Sequence, residues 1–269
     1  MKFFVLTLFP EMIEQALGFG VVGQALGKGL VSLSCVNPRR YTMDLHQSVD
    51  DRPYGGGDGM VMMSEPLASA LVEVRNQGAK GPAIYLSPRG VPFNDSRARE
   101  LSTQPDLTFI CGRYAGVDER FVAAHVDLEL SLGDFVLSGG ELAALAMMDA
   151  ISRQVPGVLG NENSAVEESF REGLLEYPQF TRPREYLGMP VPEVLLTGNH
   201  NKIHEWRQSA ARLTTWLRRP DLLDGAEVRL WGPPLLEWGE SLSEEEWRAC
   251  GFRAEDRVRL REGLGRVGR

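Results

Sequence analysis

Cysteine is scarce in this 269-residue chain, and the three that occur are poorly placed for joint chemistry. Cys35, Cys111 and Cys250 lie far apart and form no C-x-x-C pair, so the sequence supports neither a disulfide framework nor a thiolate metal cage. This cysteine usage favours a reducing compartment, and we expect the protein to be cytoplasmic.

The sequence also lacks long apolar runs and a phosphate-binding loop of the G-x-x-x-x-G-K-[ST] type. No window approaches the roughly 18 apolar residues that a membrane helix needs, so we expect no membrane partner. The N-terminal run MKFFVLTLF is ended by Pro10 and Glu11 before the core of a signal peptide develops, and it is typical of a first sheet strand. The missing loop motif excludes the P-loop nucleotide hydrolases.

An excess of positive charge is missing as well, because the formal net charge is -8. Taken alone, this charge argues against a partner rich in phosphate. The net charge differs between segments, however: -5 for 1–160, -4 for 161–176, +4 for 177–220 and -3 for 221–269. The basic part of the chain is therefore 177–220, although a net charge of +4 is more often an ordinary solvated surface than an RNA site.

Three glycines match a nucleotide-binding motif in the wrong place. Gly18, Gly20 and Gly23 fit the G-x-G-x-x-G pattern of dinucleotide-binding proteins, but that pattern must follow a strand directly. Here the residues from Pro10 to Leu17 intervene and are typical of a short helix. We interpret the glycines as a turn between elements.

Apolar segments alternate with helical patterns over the first 153 residues. The predicted strands are 3–9, 83–88, 107–112 and 126–132, and the predicted helices include 66–77 and 141–153. This alternation predicts an α/β fold with a mostly parallel sheet, whose ligand site lies beyond the carboxyl ends of the strands. The acidic residues 161–176 show little periodicity and are interpreted as a linker, which leaves domains of 1–160 and 177–269.

Glycine-rich turns follow three of the predicted strands. They are SPRG at 87–90, CGRYAG at 111–116 and LGDFVLSGG at 132–140, and a fourth glycine-rich segment, VDDRPYGGGDGMVM, occupies 49–62. Turns at neighbouring strand ends form one crevice lined by backbone polar groups, which favours an adenosine-like ligand. The segment 49–62 indicates a flexible loop or a backbone that approaches a ligand closely.

Long blocks of this sequence resemble, in order, the bacterial tRNA (guanine-N1)-methyltransferases, which belong to the knotted SPOUT class. The blocks are FPEM (9–12), VDDRPYGGGDGM (49–60), YLSPRG (85–90), CGRYAGVDER (111–120), GDFVLSGGEL (133–142), RQVPGVLG (153–160), EESFREGLLEYPQFTRP (167–183), VPEVLLTGNH (191–200) and WLRRPDLL (216–223). The resemblance implies a trefoil-knotted sheet domain at 1–160, a small helical tRNA-binding domain at 177–269, and a homodimer with each active site at the subunit interface. Its implied reaction methylates N1 of the guanine that follows the tRNA anticodon.

The resemblance also implies S-adenosylmethionine as the cofactor and assigns it to matching positions. The implied cofactor-binding residues are Tyr85, Leu86, Ser87, Pro88, Gly90, Gly112, Leu132, Gly133, Asp134, Phe135, Val136, Leu137, Gly139 and Gly140.

Guanine N1 carries a proton at neutral pH, so its methylation needs a base and a cation near O6. By resemblance Glu168 is the general base, Arg153 stabilises the charge at O6, and Ser169 hydrogen-bonds the same base edge. On the residues alone, Glu168 is one of five acids in 161–176, and Arg153 is a cation favoured by the end of a helix. Candidates for the RNA side are Asp50, Arg52, Tyr54, Asn199 and His200, with Arg218 and Arg219 on phosphates.

Two positions depart from the family pattern. The family usually has aspartate where this chain has Glu168, and glutamate where it has Ala115. That glutamate is associated with magnesium-assisted catalysis in the family, so the magnesium requirement is left open and no metal ligand is assigned. Two alternatives therefore remain: a knotted methyltransferase that acts on another RNA site, and a tRNA-binding protein with impaired catalysis.

Overall fold

The computed structural model of the protein describes residues 1–160 and 168–264, with their side chains except those of 226, 227, 229 and 264. By its internal contacts the chain divides into two units, Met1–Glu162 and Asn163–Arg269. Each unit has a hydrophobic core of its own, and each is described by itself.

The first unit alternates strands and helices. Its strands are β1 (Lys2–Leu6), β2 (Ser32–Val36), β3 (Asp50–Asp51), β4 (Val61–Met62), β5 (Ala83–Pro92), β6 (Asp106–Ile110) and β7 (Leu128–Ser131). Its helices are α1 (Pro10–Leu17), α2 (Gly20–Gly27), α3 (Ser64–Asn76), α4 (Asp95–Ser102), α5 (Glu119–His125) and α6 (Glu141–Ser152). The short strands β3 and β4 pair with each other in an antiparallel hairpin.

Five strands form one sheet in the order β2-β1-β6-β5-β7, and every neighbouring pair is parallel. At the start of β1, Lys2 pairs with Ser32 of β2 on one side and with Asp106 of β6 on the other. Because all five strands run in one direction, the turns that follow β5, β6 and β7 meet at the same edge of the sheet.

Helices cover both faces of this sheet, which explains the uninterrupted apolar runs of its strands. Side chains alternate along β1, so that Phe3 and Val5 join the core under α1, α2, α4 and α6. Phe4 and Leu6 join the opposite core under α3 and α5. All four side chains are at most 1% exposed.

The second unit is mainly helical. It comprises the hairpin strands β8 (Glu185–Tyr186) and β9 (Met189–Pro190) and the helices α7 (His200–Arg218), α8 (Gly225–Ser241), α9 (Glu244–Ala249) and α10 (Ala254–Leu264). Trp206 and Leu213 of α7 pack in one core with Trp247 of α9 and Leu260 of α10. The described part of the predicted linker, 168–176, contains no helix or strand, and its Leu175 N–H donates to Thr215 Oγ1 of α7 at 2.8 Å.

Two predictions about local structure were wrong. Gly20 and Gly23 lie inside α2 rather than in a turn. The glycine at position 23 serves packing, since α2 lies so close to the end of α1 that a Cβ there would overlap the Gly18 carbonyl. The strand predicted at 83–88 continues to Pro92, because β5 resumes its pairing with β7 after a protruding segment.

The α/β fold with a parallel sheet and a mainly helical second part is confirmed. The knotted threading and the exact domain boundaries stay predictions. None of the described helices combines the length and the apolar character that crossing a bilayer requires.

Candidate functional site

A protrusion within β5 and the turns after β6 and β7 enclose a cavity of about 380 Å³. Twelve of the fourteen residues assigned to the cofactor line it, and the other two, Gly90 and Asp134, lie outside the lining. The twelve are Tyr85, Leu86, Ser87, Pro88, Gly112, Leu132, Gly133, Phe135, Val136, Leu137, Gly139 and Gly140. The structure therefore brings three segments, separated by 20 residues or more in sequence, into one pocket.

The first wall of the cavity is a protrusion within β5. Leu86 and Val91 both pair with Leu130 of β7, so the residues between them bulge out of the sheet. Gly90 closes this bulge against β7, where a Cβ would overlap the Leu130 backbone. Gly90 thus has a packing role at the base of the wall.

The second wall is the turn after β6. A Cβ at Gly112 would lie 3.0 Å from the ring of Tyr85, so glycine leaves room for this ring beside the turn. Gly116 takes a φ of 124°, a value that side chains disfavour, and Tyr114 takes 59°. Burial raises the pKa of Tyr85, whose ring is only 7% exposed.

The third wall is the loop from Leu132 to Gly140. It exposes Phe135 and Val136, at 53% and 86%, next to the cavity. At its end Gly140 packs on the second wall, where a Cβ would lie 2.8 Å from Cys111 Cα, and its N–H donates to the Gly112 carbonyl at 2.9 Å. Small residues therefore let two of the three walls touch through their backbones.

A buried ion pair ties the second and third walls to β1. Arg113 Nε donates to Glu141 Oε2 at 2.9 Å, and Thr7 Oγ1 donates to Glu141 Oε1 at 2.8 Å. The Glu141 side chain is 1% exposed and that of Arg113 is 20% exposed. Arg113 also donates from Nη1 to the Ser138 carbonyl at 3.3 Å and places its guanidinium 4.5 Å from the ring centre of Phe9.

Charged side chains also lie at the rim of the cavity. Arg89 donates to Glu119 at 2.8 Å and to Glu129 at 3.2 Å, and these carboxylates raise the pKa of Arg89 further. Arg89 and Glu119 line the cavity, so the rim carries both signs of charge. No role was predicted from the sequence for four charged residues of this site: Arg89, Arg113, Glu119 and Glu141. Their position inside the glycine-rich blocks is the feature of the sequence that could have indicated a role.

The glycine-rich loop between β3 and β4 lies beside the second wall. Ala115 N–H donates to the Met60 carbonyl at 2.8 Å, and Met62 N–H donates to the Gly116 carbonyl at 2.9 Å. Four glycines of this loop have positive φ, which fits the predicted permissive backbone: Gly55, Gly56, Gly57 and Gly59. The RNA candidates Arg52 and Tyr54 are on this loop, with Tyr54 99% exposed, and Asp50 is in β3, which precedes it.

The other predicted residues lie outside the cavity lining. Arg153 ends α6 and its N–H donates to the Asp149 carbonyl at 3.1 Å. Glu168 and Ser169 belong to the second unit, where Ser169 Oγ accepts from Glu176 N–H at 2.9 Å. Asn199 caps the start of α7 by accepting from Lys202 N–H at 3.2 Å, and His200 is the exposed first residue of that helix.

Arg218 and Arg219, predicted to contact phosphates, both make ion pairs within the second unit. Arg218 pairs with Asp256 at 3.1 Å and donates to the Gly251 carbonyl at 2.9 Å. Arg219 pairs with Asp221 at 2.7 Å. Arg218 thereby joins α7 to α10.

Ala115 lies on the second wall of the cavity. Its backbone is held by the β3–β4 loop, and its Cβ is 3.7 Å from the position that a Cβ on Gly59 would take. Within the described ranges 1–160 and 168–264, no group of three His, Cys, Asp or Glu side chains is arranged to hold a metal ion.

Comparison with known proteins decides the family of this chain. A family model described as tRNA (Guanine-1)-methyltransferase TrmD matches residues 1–225. The chain belongs to this family. The match includes every residue that the sequence analysis assigned to the site.

Relatives of the family cover most of this chain. A tRNA (guanine-N(1)-)-methyltransferase of Aromatoleum aromaticum is 51% identical over 250 residues, which make up 91% of this chain and 94% of the relative. Proteins with the same description from Stutzerimonas stutzeri and Haemophilus ducreyi are 52% and 51% identical over 225 residues, about nine-tenths of each relative. The resemblance found in the sequence blocks is confirmed, and the chain is a methyltransferase of this family.

Proposed function

We propose that this protein transfers a methyl group from S-adenosylmethionine to N1 of the guanine that follows the anticodon in tRNA. The observation that carries the proposal is the cavity at the carboxyl ends of β5, β6 and β7, in a chain that belongs to this methyltransferase family. A crevice at that edge of a parallel sheet is the usual ligand site of α/β proteins.

The residues around the cavity fit an adenosyl cofactor. Gly140 lets its backbone approach that of Cys111, and Gly112 and Gly139 leave room for the side chains of Tyr85 and Arg113. The remaining lining offers backbone polar groups beside apolar side chains such as Leu86 and Leu137. The twelve lining residues named above are our proposed cofactor-binding set. When bound, S-adenosylmethionine supplies an electrophilic methyl group on a sulfonium.

Two residues of this chain provide the acid–base chemistry in our proposal. Glu168 removes the N1 proton of guanine, since N1 becomes nucleophilic only when that proton leaves. The negative charge then spreads to O6, where the guanidinium of Arg153 stabilises it. Ser169 hydrogen-bonds the same base edge. Asp50, Arg52, Tyr54, Asn199 and His200 are the proposed contacts to the surrounding RNA.

The assembly that we infer is a cytoplasmic homodimer with its active site at the subunit interface. The free state of all three cysteines, Cys35, Cys111 and Cys250, supports a reducing compartment. Exposed apolar residues on the first unit, including Phe19 at 78% and Val21 at 40%, offer a surface that a second copy could cover. Sedimentation equilibrium tests the dimer, and a monomer at enzymatically active concentrations would contradict it.

Methyl transfer from labelled cofactor to tRNA transcripts tests the reaction. We expect transfer to a transcript that carries the guanine, and none when that guanine alone is replaced. Transfer to both transcripts would instead favour another RNA site. Repeating the assay with a chelator tests magnesium, and unchanged activity would show that a chain with Ala115 does not need it.

Glu168→Ala tests the general base. We expect turnover to fall by a factor of 100 or more, the usual contribution of general acid–base catalysis, with tRNA affinity nearly unchanged. Glu168→Asp is the matched control because it keeps a carboxylate, and it should retain much of the activity. Absence of turnover in the unmodified protein, with tRNA still bound, would indicate a binding protein without catalysis.

A further inference from the structure

A second cavity, of about 350 Å³, lies wholly within the second unit. The segment 177–184 forms one side of it, and the start of α7 with the preceding 3-10 turn forms the other. Its lining consists of Tyr177, Pro178, Gln179, Phe180, Thr181, Arg182, Arg184, Val191, Leu195, Leu196, Ile203 and Arg207. It shares no residue with the cavity of the first unit.

The charge around this second cavity has one sign. Arg182, Arg184 and Arg207 line it, and no acidic side chain is among the described residues of the lining. Arg182 and Arg184 are exposed and lead into the β8–β9 hairpin. Acidic residues flank the lining residues along the chain but are not part of the lining; they are Glu176, Glu185, Glu193 and Glu205. Each guanidinium presents a planar fork of N–H donors that matches phosphate oxygens, so arginine binds phosphate strongly.

The rest of the lining is aromatic and aliphatic. The Phe180 ring packs edge-on against Trp206, with 6.1 Å between ring centres, and Trp206 is 5% exposed in the core of the unit. Tyr177 lies under the guanidinium of Arg207 at 4.8 Å. Leu195 and Ile203 complete an apolar wall whose shape is set by the core behind it.

A flat ring joined to a phosphate is the ligand that satisfies both halves of this cavity. Unpaired RNA offers that combination in each nucleotide, and proteins bind such nucleotides by stacking or packing the base and pairing the phosphate with arginine. We propose that the second cavity is a nucleotide subsite of the RNA substrate, with one phosphate on Arg182 and Arg184 and the adjoining base on the apolar wall. This inference rests on the proposed function, since tRNA is the source of that nucleotide.

The double variant Arg182→Gln/Arg184→Gln tests the phosphate half. We expect the dissociation constant for a substrate tRNA transcript to rise about tenfold, with affinity for S-adenosylmethionine unchanged. The slope of log affinity against log salt should become shallower by about 0.7 to 0.9, the loss expected when one phosphate is no longer neutralised. The matched control Arg248→Gln/Arg253→Gln removes two exposed cations of the same unit from outside the cavity, and it should change neither quantity appreciably.

Ile203→Phe tests the base half by filling part of the cavity. Here we expect weaker tRNA binding with the salt slope unchanged, because no charge is lost. Circular dichroism and the melting temperature of each variant establish that the second unit remains folded.

Equal tRNA affinity for the cavity double variant and its control would overturn the inference, even if methylation proceeds normally. The opposite combination separates the two proposals. If the cavity double variant alone loses tRNA binding, and the unmodified protein does not methylate tRNA, the result supports the subsite and contradicts the proposed reaction. The two failures are thus distinguishable.

Discussion

At the scale of single residues, the candidate cofactor site depends on charges that the protein buries. Glu141 begins α6 within an apolar sequence, yet its carboxylate lies in the interior between Thr7 and Arg113. A buried carboxylate is costly unless it is paired and hydrogen-bonded, and here both oxygens accept a bond. The pair therefore holds the wall around Gly139 in one position against the end of β1.

Glu141→Gln should destabilise the first unit, because it leaves Arg113 largely buried without its counter-charge. We expect the free energy of unfolding to fall by about 3 kcal/mol, the range found when one partner of a buried pair is removed. Denaturant unfolding measures this loss. Glu100→Gln, which breaks the solvent-exposed pair with Arg97, is the control and should cost at most about 0.5 kcal/mol. Similar losses in both variants would contradict the role assigned to the buried pair.

Gly139→Ala should weaken cofactor binding with a smaller effect on folding. A Cβ at Gly139 would overlap Arg113 Nε, so either the third wall or the guanidinium must shift. We expect the dissociation constant for S-adenosylmethionine, measured by calorimetry, to rise about tenfold or more. Gly160→Ala is the matched control, since a Cβ there meets nothing within 4 Å. The geometric interpretation fails if both alanine variants bind the cofactor equally.

At the scale of elements, α10 is attached to α7 through the carboxylate of Asp256. This side chain is 4% exposed and accepts from Arg218 at 3.1 Å and from Arg253 N–H at 2.8 Å. The family model ends at residue 225, so the attachment joins the matched region to the helices that follow it. A basic sequence such as WLRRP thus includes at least one arginine that the fold itself uses.

Arg218→Ala and Arg219→Ala should therefore differ. Loss of Arg218 removes a hydrogen bond to a buried carboxylate, and we expect a destabilisation of about 2 kcal/mol. Loss of Arg219 removes only its pair with Asp221, in which the side chains are 46% and 60% exposed, and should change stability much less. Thermal unfolding of both variants measures the difference. If both variants are equally stable and lose tRNA affinity equally, the result would support the predicted role of Arg218 and Arg219 as phosphate contacts.

Elements differ in how well their sequence predicts them. The short helix Pro10–Leu17 was predicted at its observed bounds, because proline at its first position and glycine after its end mark both limits. Strand β2 escaped prediction, since SLSCV is an edge strand with mostly half-buried side chains. Helix α8 contains Pro233 and Pro234, which ordinarily argue against a helix interior, so tertiary packing decides its extent.

At the scale of the whole molecule, two units with separate cores share one chain. All three cofactor walls and the buried pair belong to the first unit, whereas the basic cavity belongs to the second. A net charge of -8 for the whole chain describes neither site, because each ligand meets only the local charges.

Differential scanning calorimetry should therefore show that the cofactor stabilises one unit selectively. At 100 times its dissociation constant, S-adenosylmethionine should add about 2.7 kcal/mol to the unfolding free energy of the first unit. We expect the transition of the second unit to keep its temperature. Gly139→Ala should reduce the shift of the first transition. An equal shift of both transitions would contradict a cofactor site confined to the first unit.

The sequence by itself determined the α/β class, the family and twelve residues that line one cavity. The α/β class follows from strand and helix periodicities, which are local, and the strand-end turns meet at one edge because the sheet is parallel. The family and the individual residues came from the resemblance of the sequence blocks. The functional roles of Glu168 and Arg153 stay predictions.

Only the tertiary structure decided which charged residues form ion pairs within the protein and which line a cavity. The sequence does not distinguish Arg218, paired with a buried carboxylate, from Arg182, which lines the basic cavity of the second unit. Nor does it show that Glu141 lies buried beside Arg113. These outcomes depend on contacts between residues distant in sequence, and the burial of a charge is a property of those contacts rather than of the residue.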